Sequence, residues 1–416
     1  MSRIPVVVIG AGQAGLAVSR LLTTSGVDHV VLERGRVGER WASFRWESLR
    51  LLSPNWLSRL PDFRYTGPDP DGFMRATEVA DYLRSYAEYA SAPVVEGADV
   101  TAVVRHGGRY RVTTDAGCWT ADAVVVATGW CDIPYVPAVA AALDPRIDQL
   151  TPVGYRSPAE LADGGVLVVG ASATGVQLAD EIARAGRRVV LAVGSHTRMP
   201  RRYRGLDIMW WLDAMGALDR RLDEHPSPAA ARAEPSLQLV GNPDGRNVDL
   251  LSLHRRGVGL VGRLTDVAGR HIRLAGDLTE TTGRADGQLR RLLRRVDAYA
   301  AMAGLAGEID APEPVRPVPT VGGVAGLDLH HAGIRTVLWA TGYRRAYPWL
   351  RVPVLNRTGE IQQVGGVTPT PGLYVIGQRW QSRRNSSFLD GVRHDAATVA
   401  DRVLDHVGAE LSGSAA

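Results

Sequence analysis

The sequence predicts an α/β fold of two Rossmann-like dinucleotide-binding domains, with the second domain inserted in the first. Two segments lead to this prediction, PVVVIGAGQAGLAVSRLL and GVLVVGASATGVQLADEIARAG. Each joins a β-branched apolar run, a turn of small residues and an amphipathic stretch, which is typical of a buried parallel strand followed by a helix. Their glycine loops start 160 residues apart, and that distance is too long for a solenoid repeat.

Three further apolar runs support the same fold, because each ends in small residues. ADAVVVATGW (121–130) and TVLWATGYR (336–344) contain Ala-Thr-Gly, and PGLYVIGQRW (371–380) reaches a glycine at position 377. Small residues at a strand end let the backbone approach a bound molecule closely. We therefore expect these strands to return to the sites that the glycine loops form.

The composition excludes several classes of function. The 416 residues are 45% apolar and 22% charged, which suits a chain with a buried core and excludes disorder for most of it. All 48 basic residues are arginines, so Schiff-base chemistry and the lysine-dependent phosphate loop are excluded. Cys118 and Cys131 form no Cys-x-x-Cys pair, which argues against a dithiol reductase, and no metal site is predicted.

Charge and hydropathy predict a cytoplasmic protein that binds neither nucleic acid nor membrane. The net charge is only +4, which argues against a global nucleic-acid surface. No stretch approaches the ~18 uninterrupted apolar residues of a membrane span.

The first glycine loop has the residues that a dinucleotide diphosphate requires. Gly10, Gly12 and Gly15 form G-x-G-x-x-G directly after an apolar run. The first glycine permits the turn, the second lets the backbone approach the diphosphate, and the third lets the helix pack on the strand. Gln13 and Ala14 start the predicted helix, whose free N–H groups attract phosphate.

An acidic residue completes this fingerprint. Glu33 ends a second apolar run, 18 residues after Gly15, and is predicted to accept hydrogen bonds from a ribose. We assign its neighbours Arg34 and Arg40 to the same cofactor.

The second glycine loop repeats the pattern with serine in the middle position. Its predicted cofactor-binding residues are Gly170, Ser172, Ala173, Thr174 and Gly175, together with Ser195 in the next loop. No acidic residue lies where the equivalent of Glu33 would fall, and arginines including Arg198 and Arg201 follow instead. A missing acid beside arginines is typical of a site for a 2′-phosphate, which favours NADPH over NADH. The alternative is that these arginines form a solvated or interdomain face.

Two such loops in one chain predict two cofactors side by side, FAD and NADPH, with a hydride passing between them. We expect residues 1–157 and 326–416 to form the FAD-binding domain and residues 158–325 the NADPH-binding domain. The strand ends and the start of the last helix add cofactor-binding predictions at Thr128, Gly129, Thr341, Gly342, Gly377, Gln378 and Leu389.

The sequence resembles the class B flavoprotein monooxygenases, which include flavin-containing, N-hydroxylating and Baeyer–Villiger enzymes, and it is most similar to a bacterial branch of flavoproteins among them. The motifs that carry the resemblance span nearly the whole chain: GAGQAG, RWESLRLLSPNWLSRLP, GASATG, HTRMPRRYRG, LWATGYR and GVTPTPGLYVIG. The resemblance implies that Trp41 and Asn55 lie near the flavin ring, with Asn55 as a catalytic residue that positions flavin or NADP+. The alternative for Asn55 is a loop cap before Trp56.

The resemblance also implies an enzyme that uses NADPH and O2 to oxygenate a small organic substrate through a flavin hydroperoxide. Thr151 stands where the family fingerprint has histidine, which weakens Baeyer–Villiger oxygenation of a ketone and favours oxygenation at nitrogen or sulfur. Baeyer–Villiger oxygenation, an NADPH-dependent flavoprotein reductase and a non-catalytic redox sensor stay as alternatives. The expected partners are the small-molecule substrate and O2, and a homodimer is compatible with the sequence.

Overall fold

A computed structural model describes residues 2–320 and 323–413 of the protein. The strands, in chain order, are β1 (Ser2–Ile9), β2 (His29–Leu32), β3 (Arg59–Leu60), β4 (Phe63–Arg64), β5 (Val94–Val95), β6 (Val100–His106), β7 (Arg109–Thr114), β8 (Cys118–Val126), β9 (Ile133–Pro134), β10 (Asp148–Leu150), β11 (Gly165–Val169), β12 (Val189–Ala192), β13 (Thr197–Arg198), β14 (Arg202–Tyr203), β15 (Leu206–Asp207), β16 (Leu237–Gln238), β17 (Gly259–Val261), β18 (Leu264–Ala268), β19 (His271–Leu274), β20 (Gly326–Asp328), β21 (Ile334–Trp339), β22 (Tyr343–Arg344) and β23 (Leu373–Val375). The helices are α1 (Gln13–Thr24), α2 (Glu39–Ala42), α3 (Ala76–Tyr89), α4 (Ala173–Arg184), α5 (Ile208–Ala214), α6 (Pro228–Ala233), α7 (Leu250–Arg255), α8 (Leu278–Met302) and α9 (Val392–Gly413).

The first sheet combines strands from both ends of the chain. Its order is β5-β2-β1-β8-β7-β6, and β23 pairs with the end of β8. The strands β2, β1, β8 and β23 run parallel, whereas β6 and β7 form an antiparallel extension. Val6 and Val8 face helices α1, α3 and α9, and Val7 and Ile9 face the opposite side, so the sheet is buried on both faces.

The second sheet comes from the middle of the chain. Its order is β10-β21-β11-β12-β17, and every pair in it is parallel. Val166 and Val168 pack against α4 and α7, while Leu167 and Val169 pack against the segment that holds β18 and β19. A mixed sheet with a parallel core and a wholly parallel sheet inserted between its strands confirm the predicted fold class.

The second sheet includes one strand before and one strand after the predicted bounds of its domain. Strand β10 lies before residue 158 and β21 lies after residue 325, yet both pair within the second sheet. The second sheet therefore uses strands from residue 148 to residue 339, beyond both ends of the predicted range 158–325. The short β10 gives no recognisable hydrophobic pattern, and β21 ends in the same Ala-Thr-Gly as β8, which made it resemble a return strand of the first domain.

The two glycine loops are built in the same way. The φ angles of Gly10 and Gly170 are +106° and +108°, where residues other than glycine are strained. A Cβ on Gly10 would lie 2.8 Å from the carbonyl oxygen of Ala127, and a Cβ on Gly170 would lie 2.5 Å from that of Ala340. Each loop therefore presses against the end of the neighbouring strand, β8 or β21.

We expect Gly15→Ala to lower the stability of the protein when no cofactor is bound. A Cβ at this position would lie 1.9 Å from the carbonyl oxygen of Gly10, and overpacking of this kind costs about 1–3 kcal/mol or more. Urea unfolding of the flavin-free protein measures the loss. Gly12→Ala is the control, because Gly12 has φ −85° and no atom within 4 Å of its Cβ position. It should keep the stability of the wild type and weaken flavin binding; wild-type stability of Gly15→Ala would contradict the packing argument.

Candidate cofactor and active site

Both glycine loops open onto one cleft of about 850 Å³. The loops after β1, β2 and β8 line one part of it, and the loops after β11, β12 and β21 line another. These are carboxyl ends of parallel strands, the position where open α/β sheets bind ligands. The fold thus brings residues from widely separated parts of the sequence to one site.

The two helices that begin at the cleft have bare N-termini. The N-cap residues are Gly12 for α1 and Ser172 for α4, and neither helix has a side-chain cap or an acidic residue in its first turn. The first N–H groups of a helix lack partners within the helix, and its N-terminal end is electropositive. This donor set fits the diphosphates of two dinucleotides.

Glu33 shapes the first loop. Its Oε2 accepts a hydrogen bond of 2.8 Å from the N–H of Ala11, and its Oε1 accepts one of 3.0 Å from the N–H of Gly35. The side chain also lines the cleft. Each carboxylate oxygen has a second lone pair, so Glu33 can hold the loop and accept from a ribose at the same time.

The structure places most of the predicted cofactor-binding residues on the cleft wall. Those that line it are Gly10, Gly12, Gln13, Ala14, Glu33, Arg34, Arg40, Trp41, Thr128, Gly129, Gly170, Ser172, Ala173, Thr174, Ser195, Thr341, Gly342, Gly377 and Leu389. Gly15 and Gly175 lie behind the wall, where each packs against the first glycine of its own loop. Their contribution to the site is the close helix–strand contact.

Gln378 points away from the cleft. Its Oε1 accepts a hydrogen bond of 2.6 Å from Nη1 of Arg345, and its backbone N–H donates to Gln381. The side chain is buried. Gln378 therefore supports the end of β23, while Gly377 and Leu389 form the surface beside it.

The structure does not bring Asn55 to the cleft. Its side chain is 4% exposed, donates a hydrogen bond of 2.9 Å to the carbonyl of Asp69 and accepts one of 2.7 Å from the N–H of Met74. Leu52 and Ser53, three and two residues earlier, line the cleft instead. The catalytic assignment of Asn55 conflicts with this geometry, and the loop-cap alternative agrees with it.

Arg198 and Arg201 also lie away from the cleft. Arg198 is 6% exposed, with Nη2 2.7 Å from Oδ2 of Asp249 and Nη1 2.6 Å from Oδ1 of Asp286. Arg201 is 2% exposed, pairs with Asp207 and donates a hydrogen bond of 2.7 Å to the carbonyl of Leu52. Both guanidinium groups are occupied by protein acceptors, so the prediction that they bind a 2′-phosphate conflicts with the structure. The bond from Arg201 to Leu52 fits the interdomain alternative, whereas the partners of Arg198 lie within the second domain.

Two titratable groups of the cleft are held neutral. Burial raises the pKa of the Cys131 thiol and that of the Tyr343 phenol, although the nearby Arg45 acts in the opposite direction on both. Both groups line the cleft. Near neutral pH they are protonated, so neither supplies a thiolate nucleophile or a general base.

Sequence reasoning missed a third wall of the cleft. It is formed by Arg379, Trp380, Arg384 and Phe388 after β23, and by residues 233–237 and Leu239 before and around β16. These segments have no motif spacing, and only their tertiary contacts bring them to the site. The arginines and aromatic residues that follow Gly377 directly were the available signal.

Several known proteins are similar to this chain. The family model described as pyridine nucleotide-disulphide oxidoreductase matches residues 7–209. The chain is 29% identical to an uncharacterised CzcO-like oxidoreductase of Geobacillus kaustophilus, over 97% of this chain and 99% of the relative. It is 26% identical to YUCCA1 of Arabidopsis thaliana, a probable indole-3-pyruvate monooxygenase, over 98% of this chain and 91% of the relative.

Solved structures share the fold over nearly their whole length. A flavin-containing monooxygenase from Stenotrophomonas maltophilia superposes with a TM-score of 0.68 at 20% identity, with 98% of this chain and 99% of that chain covered. A bacillithiol disulfide reductase of Staphylococcus aureus gives a TM-score of 0.62 at 14% identity, with 97% and 99% covered. Within residues 2–320 and 323–413, no helix combines the length and apolar character that crossing a membrane requires.

Arg198→Ala should lower stability and leave coenzyme affinity unchanged. Removing one partner of a buried ion pair costs about 3–5 kcal/mol, whereas the KM for NADPH should change less than twofold. Thermal unfolding and NADPH kinetics on the same preparation separate the two effects. Arg202→Ala is the control, because Arg202 is exposed in the same segment and should cost less than about 0.5 kcal/mol. A tenfold rise in KM for NADPH with unchanged stability would support the assignment of Arg198 to the 2′-phosphate site.

Asn55→Ala should also act on stability. It leaves the buried N–H of Met74 without its partner, and a buried unpaired group costs about 1–3 kcal/mol. Chemical unfolding measures this loss, and stopped-flow reduction of the bound flavin by NADPH should give the wild-type rate. Wild-type stability combined with altered reactivity of the reduced flavin toward oxygen would support the catalytic assignment instead.

Proposed function

We propose that this chain is a class B flavoprotein monooxygenase that uses NADPH and O2 to oxygenate a small organic substrate at nitrogen or sulfur; its relatives include an uncharacterised oxidoreductase and a probable indole-3-pyruvate monooxygenase. The observation that carries the proposal is the pair of uncapped helix N-termini, α1 and α4, that open onto one cleft. Bound there, FAD and NADPH supply electron transfer to oxygen and transfer of one oxygen atom to the substrate.

Separate sets of residues would bind the two cofactors. The loop from Gly10 to Gly15 and Glu33 would hold FAD, and the loop from Gly170 to Gly175 with Ser195 would hold NADPH. The open space at Gly12 admits a diphosphate close to the backbone. The hydroxyl of Ser172 does not cap α4, so the first N–H groups of that helix stay available for the second diphosphate.

The remaining cleft wall contributes apolar surface, and its thiol and phenol supply no base. Apolar surface in the cleft comes from Trp41, Trp130 and Phe388. A site that excludes water limits the side reactions of reactive intermediates. Cys131 and Tyr343 are neutral, because burial raises the pKa of each. An amine nitrogen or a thioether sulfur is itself the nucleophile, so it needs no protein base, and this favours oxygenation at a heteroatom.

Isotope labelling with a panel of probe substrates tests this function. The FAD-loaded protein is supplied with NADPH, ¹⁸O2 and, separately, thioanisole, N,N-dimethylaniline or cyclohexanone. We expect a sulfoxide or N-oxide with one ¹⁸O atom, formed together with NADPH oxidation. A labelled lactone from cyclohexanone without heteroatom products would favour Baeyer–Villiger chemistry. NADPH oxidation that yields only hydrogen peroxide with every probe would favour the reductase, and a flavin that NADPH hardly reduces would favour the redox sensor.

A further inference from the structure

The loop after β23 brings two arginines to the cleft. Arg379 and Arg384 both line it, and neither belongs to a glycine loop. The two helix N-termini provide the donors for the diphosphates, and neither cation belongs to these helices. The contacts of Arg379 and Arg384 within the protein therefore show whether they have a structural role or are free to bind a ligand.

Arg384 lacks an anionic partner. Among the residues that the structure describes, no carboxylate lies within 4.0 Å of its guanidinium nitrogens, and the acid that acts on it at longer range is Glu234. Arg220 and Arg295 add like charge nearby. Burial lowers the pKa of Arg384, but a guanidinium stays protonated in proteins. A partly buried cation without a counter-ion is costly, and an anion bound in the cleft would offset that cost.

Arg379 is held in place without being neutralised. One of its Nη atoms donates to the backbone carbonyl of Glu234, and its guanidinium carbon lies 5.0 Å from the ring centroid of Trp130. A guanidinium has five N–H donors, so most of them stay free. The carboxylate of Glu234 also lines the cleft and sets one negative charge against the two positive charges of the arginines, so the group stays net positive.

The wall around these arginines is apolar and rigid. Leu52, Met209, Trp380 and Phe388 line the same cleft. Trp380 is 4% exposed and has a φ of +47°, and its ring packs edge-on against His225 at 5.7 Å. A tryptophan persists in this unfavourable conformation only where its surroundings fix it. The loop therefore presents its two cations from a fixed position beside apolar surface.

We propose that Arg384, assisted by Arg379, binds a carboxylate of the substrate, so that the substrate class is an aromatic or aliphatic acid that carries the nitrogen or sulfur atom to be oxygenated. The assignment rests on the proposed function, because it takes this part of the cleft as the substrate-binding site. A planar guanidinium matches a carboxylate with two parallel hydrogen bonds, and the apolar wall matches the body of such an acid.

A pair of isosteric probes tests the assignment without turnover. Calorimetric titration of the FAD-loaded protein, free of NADPH, compares phenylthioacetate with 2-(phenylthio)acetamide, which differ in charge and little in shape. We expect the acid to bind at least tenfold more tightly than the amide. Arg384→Gln should remove this preference and leave the affinity for the amide within twofold of the wild type.

Arg383→Gln is the matched control in the same loop. The guanidinium of Arg383 donates a hydrogen bond of 3.1 Å to the carbonyl of Asp219 and does not line the cleft, so this variant should keep the preference for the acid. Equal affinity of the wild type for acid and amide would overturn the assignment, even if Arg384→Gln did not fold. In another outcome, Arg384→Gln weakens NADP+ binding while the preference for the acid is retained. That result would assign the arginine to the coenzyme and would also overturn the proposal. Because no oxygenation is measured, either failure leaves the proposed function standing, and its own labelling experiment decides that question.

Discussion

The contact between a glycine and the end of the neighbouring strand determines the rest of this structure. Gly10 lies against Ala127 and Gly170 against Ala340, at distances that leave no space for a Cβ. These contacts place the starts of α1 and α4 above the carboxyl ends of their sheets. The common cleft and its two sites for anions follow from this arrangement, which occurs twice in one chain.

The cost of this arrangement is two uncapped helices. An N-cap side chain typically stabilises a helix by about 0.5–2 kcal/mol, and α4 omits that stabilisation although Ser172 is of a residue type that normally provides it. The partly buried cation of Arg384 is a second unfavourable feature at the same cleft. Functional sites commonly retain such features because the ligand supplies the missing interaction. Both point toward anionic ligands, a diphosphate in one case and a carboxylate in the other.

The sequence carried the parts of the site that depend on local pattern. Glycine spacing after an apolar run marks a strand–loop–helix unit, and residues such as Gly12 and Ser172 lie where that pattern places them. The predictions for Asn55, Arg198 and Arg201 conflict with the geometry, and no local pattern signals this because their partners are distant or irregular in sequence. Asp286 lies 88 residues from Arg198, and a single sequence does not show whether an arginine is paired with such a residue. The wall formed by Arg379 and Arg384 was missed for the same reason, since tertiary packing alone brings it to the cleft.

A crystal structure of the protein with FAD and NADP+ would show whether both helix N-termini bind a diphosphate. The account predicts one diphosphate within about 3 Å of the N–H groups of Gln13 or Ala14, and the other at the same distance from those of Ala173 or Thr174. It also predicts that the flavin and nicotinamide rings meet inside the shared cleft. A dinucleotide bound away from either helix N-terminus, or two rings held apart in separate sites, would contradict the account.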